Sequence, residues 1–278
     1  MKENNDPIEI IIKPPKGLPE LNFREYYKFR HLMWNMIKKN VRLQFEDKVL
    51  GFVWAFARPL TMLLVFSLLR RLSRAQLYNT IPYSVYLYAG VIFWFYFVES
   101  VTAAQRSISS DAGIIKRIYY PRLITPIVPV VARMYGLMLS FIPLVILMFV
   151  DHVPPGWRLL LLPIVLLQGI VLSLGIGTMF AALSLKKKDY ETFLNLLLYV
   201  GLFISPVIYS PEMISKGALL FYYMNPVAGM LLAFRSCWFA DFPFPLWQFL
   251  YSCAASIFYL LVGTTMFRRA EMYFSDKL

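Results

Sequence analysis

Leu159–Leu185, LLLLPIVLLQGIVLSLGIGTMFAALSL, runs 27 residues without a charge. Wound as a helix at 1.5 Å per residue, it extends about 40 Å, more than the roughly 30 Å hydrocarbon core of a bilayer. Lys186, Lys187 and Lys188 follow at once. A basic flank of this kind marks the cytosolic end of a spanning helix. Working outward from this segment, Val49–Leu69, Tyr83–Ala103, Leu123–Val150, Phe193–Ser210 and Leu246–Phe267 are also long and apolar enough to cross, Phe193–Ser210 being the shortest. The sequence therefore predicts an all-α membrane protein with six transmembrane helices.

Composition supports this reading. Of 278 residues, 59% are apolar and 16% charged, where soluble domains sit near half apolar and a quarter charged. The mean hydropathy is +0.57. Disorder, collagen and a disulfide scaffold are excluded together, and Cys237 and Cys253 give no metal-ligand spacing. The formal net charge is +12. In a soluble chain that surplus would point to nucleic acid; in a membrane chain it points to cytosolic loops and anionic head groups. With the amino terminus inside, twenty basic residues fall on cytosolic pieces and six on outer ones (Arg70, Arg71, Arg74, Arg158, Lys216, Arg235), while Arg58 and Arg133 lie within spans. That imbalance places both termini in the cytosol.

The start, MKENNDPIEIIIKPPKGLPE, is polar and proline-rich, so residues 1–22 are expected to form a flexible cytosolic tail rather than a cleavable signal. Residues 23–48 read as an amphipathic helix. Arg24, Lys28, His31, Asn35, Lys38, Arg42 and Glu46 recur every three or four residues, and Phe23, Tyr27, Trp34, Ile37, Val41 and Phe45 form the opposite stripe. Such a helix suits the membrane interface. Residues 49–278 form the membrane domain. In its fourth span Gly169, Ser173, Gly177 and Ala181 make a small-residue face for a neighbouring helix, either internal or in a second protomer.

Catalytic motifs are lacking. There is no G-x-x-x-x-G-K-[ST] loop to cradle ATP phosphates, no G-x-S-x-G and no H-E-x-x-H, and His31 and His152 fall on opposite sides of the membrane. If the chain moves something against a gradient, the energy must come from a partner or from an ion. The spans hold one carboxylate, Glu99, at a depth where Arg58 could pair with it; Glu99 snorkelling to the interface is the alternative. This is thin material for a proton relay. The basic and aromatic stretch Arg106–Arg122, RSISSDAGIIKRIYYPR, could rest in a groove on a soluble partner or be a solvated positive-inside loop. The chain has 6 Trp, 18 Tyr and 23 Phe. Tyr86, Tyr88, Trp94, Tyr96 and Tyr199 lie within spans, where some could line a path for sugar rings; an interfacial aromatic belt accounts for others.

Three blocks in order resemble permeases of the ABC-2 type that export polysaccharide. In Gln44–Leu60, QFEDKVLGFVWAFARPL, the matching residues are Leu50, Gly51, Trp54, Pro59 and Leu60. Gly113–Pro126, GIIKRIYYPRLITP, is similar to the loop between spans two and three, with Tyr120 where the family has Phe. Pro206–Ile214, PVIYSPEMI, with Pro211 inside it, and then Asn225–Pro226, resemble the region between the last two spans. Two positions depart: Arg58 stands where the family has a neutral polar residue or Glu, and Lys188–Asp189 where it tends to read R-D.

The resemblance implies a homodimer bound to two copies of a separate ATPase subunit, which holds the ATP and Mg. This chain itself would carry no cofactor and no catalytic residue. It implies a channel at the dimer interface for a lipid-linked polysaccharide such as O-antigen, across a cytoplasmic (inner) membrane, with lipids and not nucleic acid as surroundings. Capsule and teichoic-acid exporters share the architecture. Coupling to the ATPase would fall to Arg106, Asp111, Lys116, Arg117, Tyr120, Pro121 and Arg122, with Lys188 and Asp189 as a second contact. Residues from Pro211 to Pro245 would form short re-entrant helices. A permease for a small lipid or drug on the same fold, or a polytopic membrane enzyme, are the alternative functions.

Overall fold

The computed structural model describes residues 27–45, 53–73, 81–115, 120–211 and 222–271. The predicted tail at 1–22, and the motif residues Leu50, Gly51, Lys116 and Arg117, lie outside the described residues. The helices are α1 (Arg30–Phe45), α2 (Val53–Ser73), α3 (Tyr83–Ser110), α4 (Ile124–Val150), α5 (Leu162–Lys186), α6 (Asp189–Ile204), α7 (Pro226–Trp238) and α8 (Leu246–Glu271). A single turn, Ala112–Ile115, follows α3, and a 3-10 turn, Trp157–Leu161, leads into α5. Among the described residues there is no strand, only an isolated bridge between Pro155 and Phe239.

Four helices are long and apolar enough to cross a membrane: Tyr83–Ser110, Ile124–Val150, Trp157–Lys186 and Leu246–Ala270. Val53–Leu69 is a shorter apolar stretch. The segment expected at Phe193–Ser210 is shifted: α6 begins at Asp189 and stops at Ile204. The cause is Pro206, which drives Ser205 to an extended backbone (ψ 154°) and ends the helix. At 16 residues α6 is about 24 Å long.

α3 is the central post and touches α2, α4, α5, α6 and α7. Its core residues are closely packed aromatics; Phe93 stacks on Phe234 at 4.3 Å and on Tyr96 at 6.0 Å. The small-residue face of α5 packs inside the chain: a methyl at Gly169 would press on Phe93, and one at Gly177 would meet Ala104, both on α3. The other side of α5 meets α8 backbone to backbone, where Gly263 lies against the carbonyl oxygen of Gly175. Adding one methyl there overpacks the contact, which costs about 1–3 kcal/mol. Gly263→Ala is therefore expected to lower the thermal midpoint of the detergent-solubilised protein, read by a thiol- or tryptophan-based melt.

Proline placement explains a second contact. Pro59 lies inside α2 and cannot donate to the carbonyl of Ala55 one turn earlier. That carbonyl accepts instead from Ser140 Oγ on α4, at 3.2 Å. The family-like proline thus docks α2 on α4.

α1 does not lie free of protein on all sides. Met36 and Ile37 are buried against Tyr120, Ile124, Val128 and Ala132 at the start of α4. Trp34 (56% exposed) and Tyr27 (66%) remain outward. The amphipathic stripe is divided, one part docked on α4 and the other facing the surroundings.

Candidate functional site

Ile108 near the end of α3, Leu123 before α4, Ala181 and Leu185 near the end of α5 and Phe267 and Ala270 near the end of α8 pack together, and Arg106 bonds Glu191 at the start of α6, so these ends gather at one side of the bundle. Among the described side chains, that side carries Arg106, Arg122, Lys186, Lys187, Lys188, Arg268 and Arg269 beside Asp111, Asp189 and Glu191, whereas the opposite end has Arg158, Asp151 and Asp241. At the basic end two candidate coupling segments meet. Arg106 Nε, on the last turns of α3, donates to Glu191 Oε1, on the first turn of α6, at 2.7 Å. Lys188 occupies the N-cap position of α6 and Asp189 its first turn, where a carboxylate complements the helix dipole. A cleft lined by Arg106, Ser109, Ser110, Lys186, Lys188 and Glu191 opens beside this pair.

Tyr120, Pro121 and Arg122 lead into α4, the amide of Ile124 donating to Pro121 O and that of Thr125 to Arg122 O. Tyr120 is buried, its hydroxyl 3.2 Å from Thr125 Oγ1 and its ring among the α1 residues named above. It orients the loop from within. Asp111 closes α3, and its carbonyl accepts from Ile114 and Ile115. Burial pushes the Asp111 carboxyl above the ordinary carboxylate range, with Lys39 opposing.

About two helical turns deeper along α3 lies a charged triad. Glu99 accepts from Arg58 Nη1 through one oxygen and from Arg133 Nη1 through the other, each at 3.3 Å. The sequence placed Arg58 and Glu99 at matching depth; the third member, Arg133, comes from α4.

Towards the opposite end lies a group that the sequence reading misplaced. Arg235 was assigned to an outer loop; it sits in the last turns of α7 and is fully buried. Its Nε donates to Tyr86 O at 3.0 Å and Nη2 to Val207 O at 2.7 Å, and Nη1 donates to Pro206 O. The guanidinium carbon lies 3.7 Å from the Tyr86 ring centroid. None of its partners among the described residues is a carboxylate. The break in the backbone after α6 supplies the two carbonyls at Pro206 and Val207, so broken helix and buried arginine explain each other. The signal available in the sequence was the apolar run from Met230 to Phe234 with Cys237 and Trp238 beyond, which argues for a buried helix rather than a loop.

The family-like residues of this region belong to the same knot. Asn225 caps α7, its Oδ1 accepting from Val227 N at 3.0 Å, while its Nδ2 donates to Ser205 Oγ at 2.8 Å. Pro226 takes the first helical position, where its missing N–H is harmless. Pro211 is the last described residue before 222.

The five aromatics divide. Tyr86, Tyr88, Trp94 and Tyr96 are buried within the packing of α3, Tyr88 completely. Tyr199 stands outward on α6 at 69% exposure, beside Phe203. Trp54 begins α2 and lines the cleft above the triad.

A sequence profile described as "ABC-2 type transporter" matches residues 31–239. The chain is similar to two Klebsiella pneumoniae proteins named "O-antigen export system permease protein RfbA". One is 26% identical over 202 residues, covering 71% of this chain and 76% of the relative. The other is 29% identical over 201 residues with the same coverage. A Myxococcus xanthus protein of the same name is 23% identical over 218 residues, covering 78% of this chain and 83% of the relative.

Proposed function

The chain belongs to the ABC-2 type transporter family, and from that premise we propose that it is the permease subunit of an ATP-driven exporter that moves a lipid-linked, O-antigen-like polysaccharide across the cytoplasmic membrane. It is a transport subunit of a multi-pass membrane protein class, not an enzyme. The observation that carries the polysaccharide reading is the shared name and the long coverage of the three relatives.

In this reading α2 and α6 complete six spans, and the basic end faces the cytosol, as the positive-inside rule favours. Two ATPase subunits, holding ATP and Mg, dock on the basic ends of two permease copies. The Arg106–Glu191 pair supports this, because it ties the last turns of α3 to the first turn of α6. A push on either then moves both, and ATP-driven closure is transmitted only if the docked contacts differ between the two states. Between the copies runs the channel. Tyr199 has the outward placement that a lining aromatic requires. Tyr86, Tyr88, Trp94 and Tyr96 would reach such a path only if the neighbours of α3 parted. Pro211 to Pro245 would be the re-entrant segment near the outer mouth, and the short buried helix α7 supports this for its described part.

Depletion in the native host, followed by fractionation of its glycans, tests the proposal. Lipid-linked polymer is expected to accumulate inside while surface polymer falls. Unchanged surface glycan, in a strain with no second exporter, would sink the reading and favour a small-lipid substrate.

A further inference from the structure

The triad lines a cleft of about 110 Å³, bounded by Gln44 and Phe45 of α1, Trp54 and Arg58 of α2, Tyr96 and Glu99 of α3, and Arg133 of α4. Two guanidiniums share one carboxylate there. Each donates one N–H at 3.3 Å, near the long end for such a bond, and the remaining N–H groups of both are not engaged by other described residues. The pair leaves one surplus positive charge. Among the described residues, the surrounding ionisable groups do not remove it: Arg106 is held by Glu191, and Asp111 faces Lys39. Arg58 is 67% exposed, so the surplus is presented outward. Trp54 and the end of α1 place the cleft at the level where amphipathic side chains meet lipid head groups.

Guanidinium forks match the oxygens of phosphate, and a net cation selects an anionic head over a zwitterionic one. We propose that this cleft binds the phosphate of an anionic membrane lipid, with Arg58 and Arg133 holding its oxygens and Glu99 sharing the two guanidiniums with it. The site concerns the lipid beside the protein and does not depend on which substrate is exported.

The full chain, purified in detergent, is mixed with phosphatidylglycerol or phosphatidylcholine, and bound lipid is counted by native mass spectrometry. Phosphatidylglycerol is expected to be retained in preference. Arg58→Gln should weaken that retention about fivefold, the worth of one basic residue near an anionic lipid, while Arg58→Lys keeps most of it. Glu99→Gln should strengthen it, because the surplus charge doubles. A triad that serves only to hold helices together predicts the reverse for Glu99→Gln and no lipid selectivity at Arg58. Equal retention of both lipids by the unaltered chain, or no change on Arg58→Gln, would overturn the proposal. Displacement of the lipid by an equal concentration of inorganic phosphate would show that the cleft reads phosphate alone, and would overturn the lipid assignment. Should Glu99→Gln fail to fold, the mostly exposed Arg58 decides the matter.

Discussion

Replacement of Arg235 by leucine is expected to leave little folded protein. The guanidinium serves the carbonyls of Pro206 and Val207 at the break after α6, and adds a bond to the carbonyl of Tyr86, which the α3 ladder already engages. A buried carbonyl left without a partner costs about 1–3 kcal/mol. Two such carbonyls, at Pro206 and Val207, together amount to about 2–6 kcal/mol, a large part of a domain's total stability. The break after α6 and the short helix α7 would separate from α3 first, since Arg235 ties all three. Arg235→Lys should be intermediate: the charge stays, but the fork that reaches three acceptors is lost. A second variant reaches the same contact from the other side. Gly90 lies so close to Arg235 Nη2 that a methyl there would collide with it, so Gly90→Ala has to displace the guanidinium or the helix. Membrane abundance and thermal unfolding in detergent read both. Arg235→Leu as stable as the unaltered chain would show that the knot holds without its charge.

Reversal of Arg106 to glutamate is expected to reduce export by roughly tenfold, within the span of typical coupling energies, with membrane abundance unchanged. The two side chains are 53% and 36% exposed, and a pair at that exposure adds little to folding. Its consequence lies in transmission, because it is the contact that joins the end of α3 to the start of α6. The charge-swapped chain, Arg106→Glu with Glu191→Arg, should recover a substantial part of the export, whereas Glu191→Arg alone should resemble Arg106→Glu. Pulse-labelled surface glycan, measured against permease abundance, separates transport from stability. Full export by both single variants would mean that the two segments need not move together.

The membrane class of the chain, the positions of its four longest helices and the charge asymmetry between its ends were legible from residue order. These follow from hydropathy and helical rise, which depend on neighbours a few positions apart. Leu123–Val150 predicted α4 to within a residue of its start, because the long apolar run carries the helix through Pro129 and Pro143. The matching depth of Arg58 and Glu99 was legible in the same way, by counting turns from one face. At Pro206 local reading slipped: Phe193–Ser210 had the right composition, but the helix ends at Ile204.

What residue order could not supply were the partners of polar groups far apart in sequence. Arg235 reaches Tyr86 across 149 positions, Arg106 reaches Glu191 across 85, and Ser140 finds the carbonyl freed by Pro59 across 85. A charge in an apolar run costs energy unless something neutralises or hydrogen-bonds it. Sequence shows that expense and not its compensation. The small residues of α5 are the same case, since Gly169 and Gly177 announce a close approach and only the packing decides that α3 makes it. Local chemistry determined that this chain lives in a membrane and where its helices run. Tertiary structure decided which charges are buried, which are shared and which are left to meet something else, because each of those depends on groups that only folding brings together.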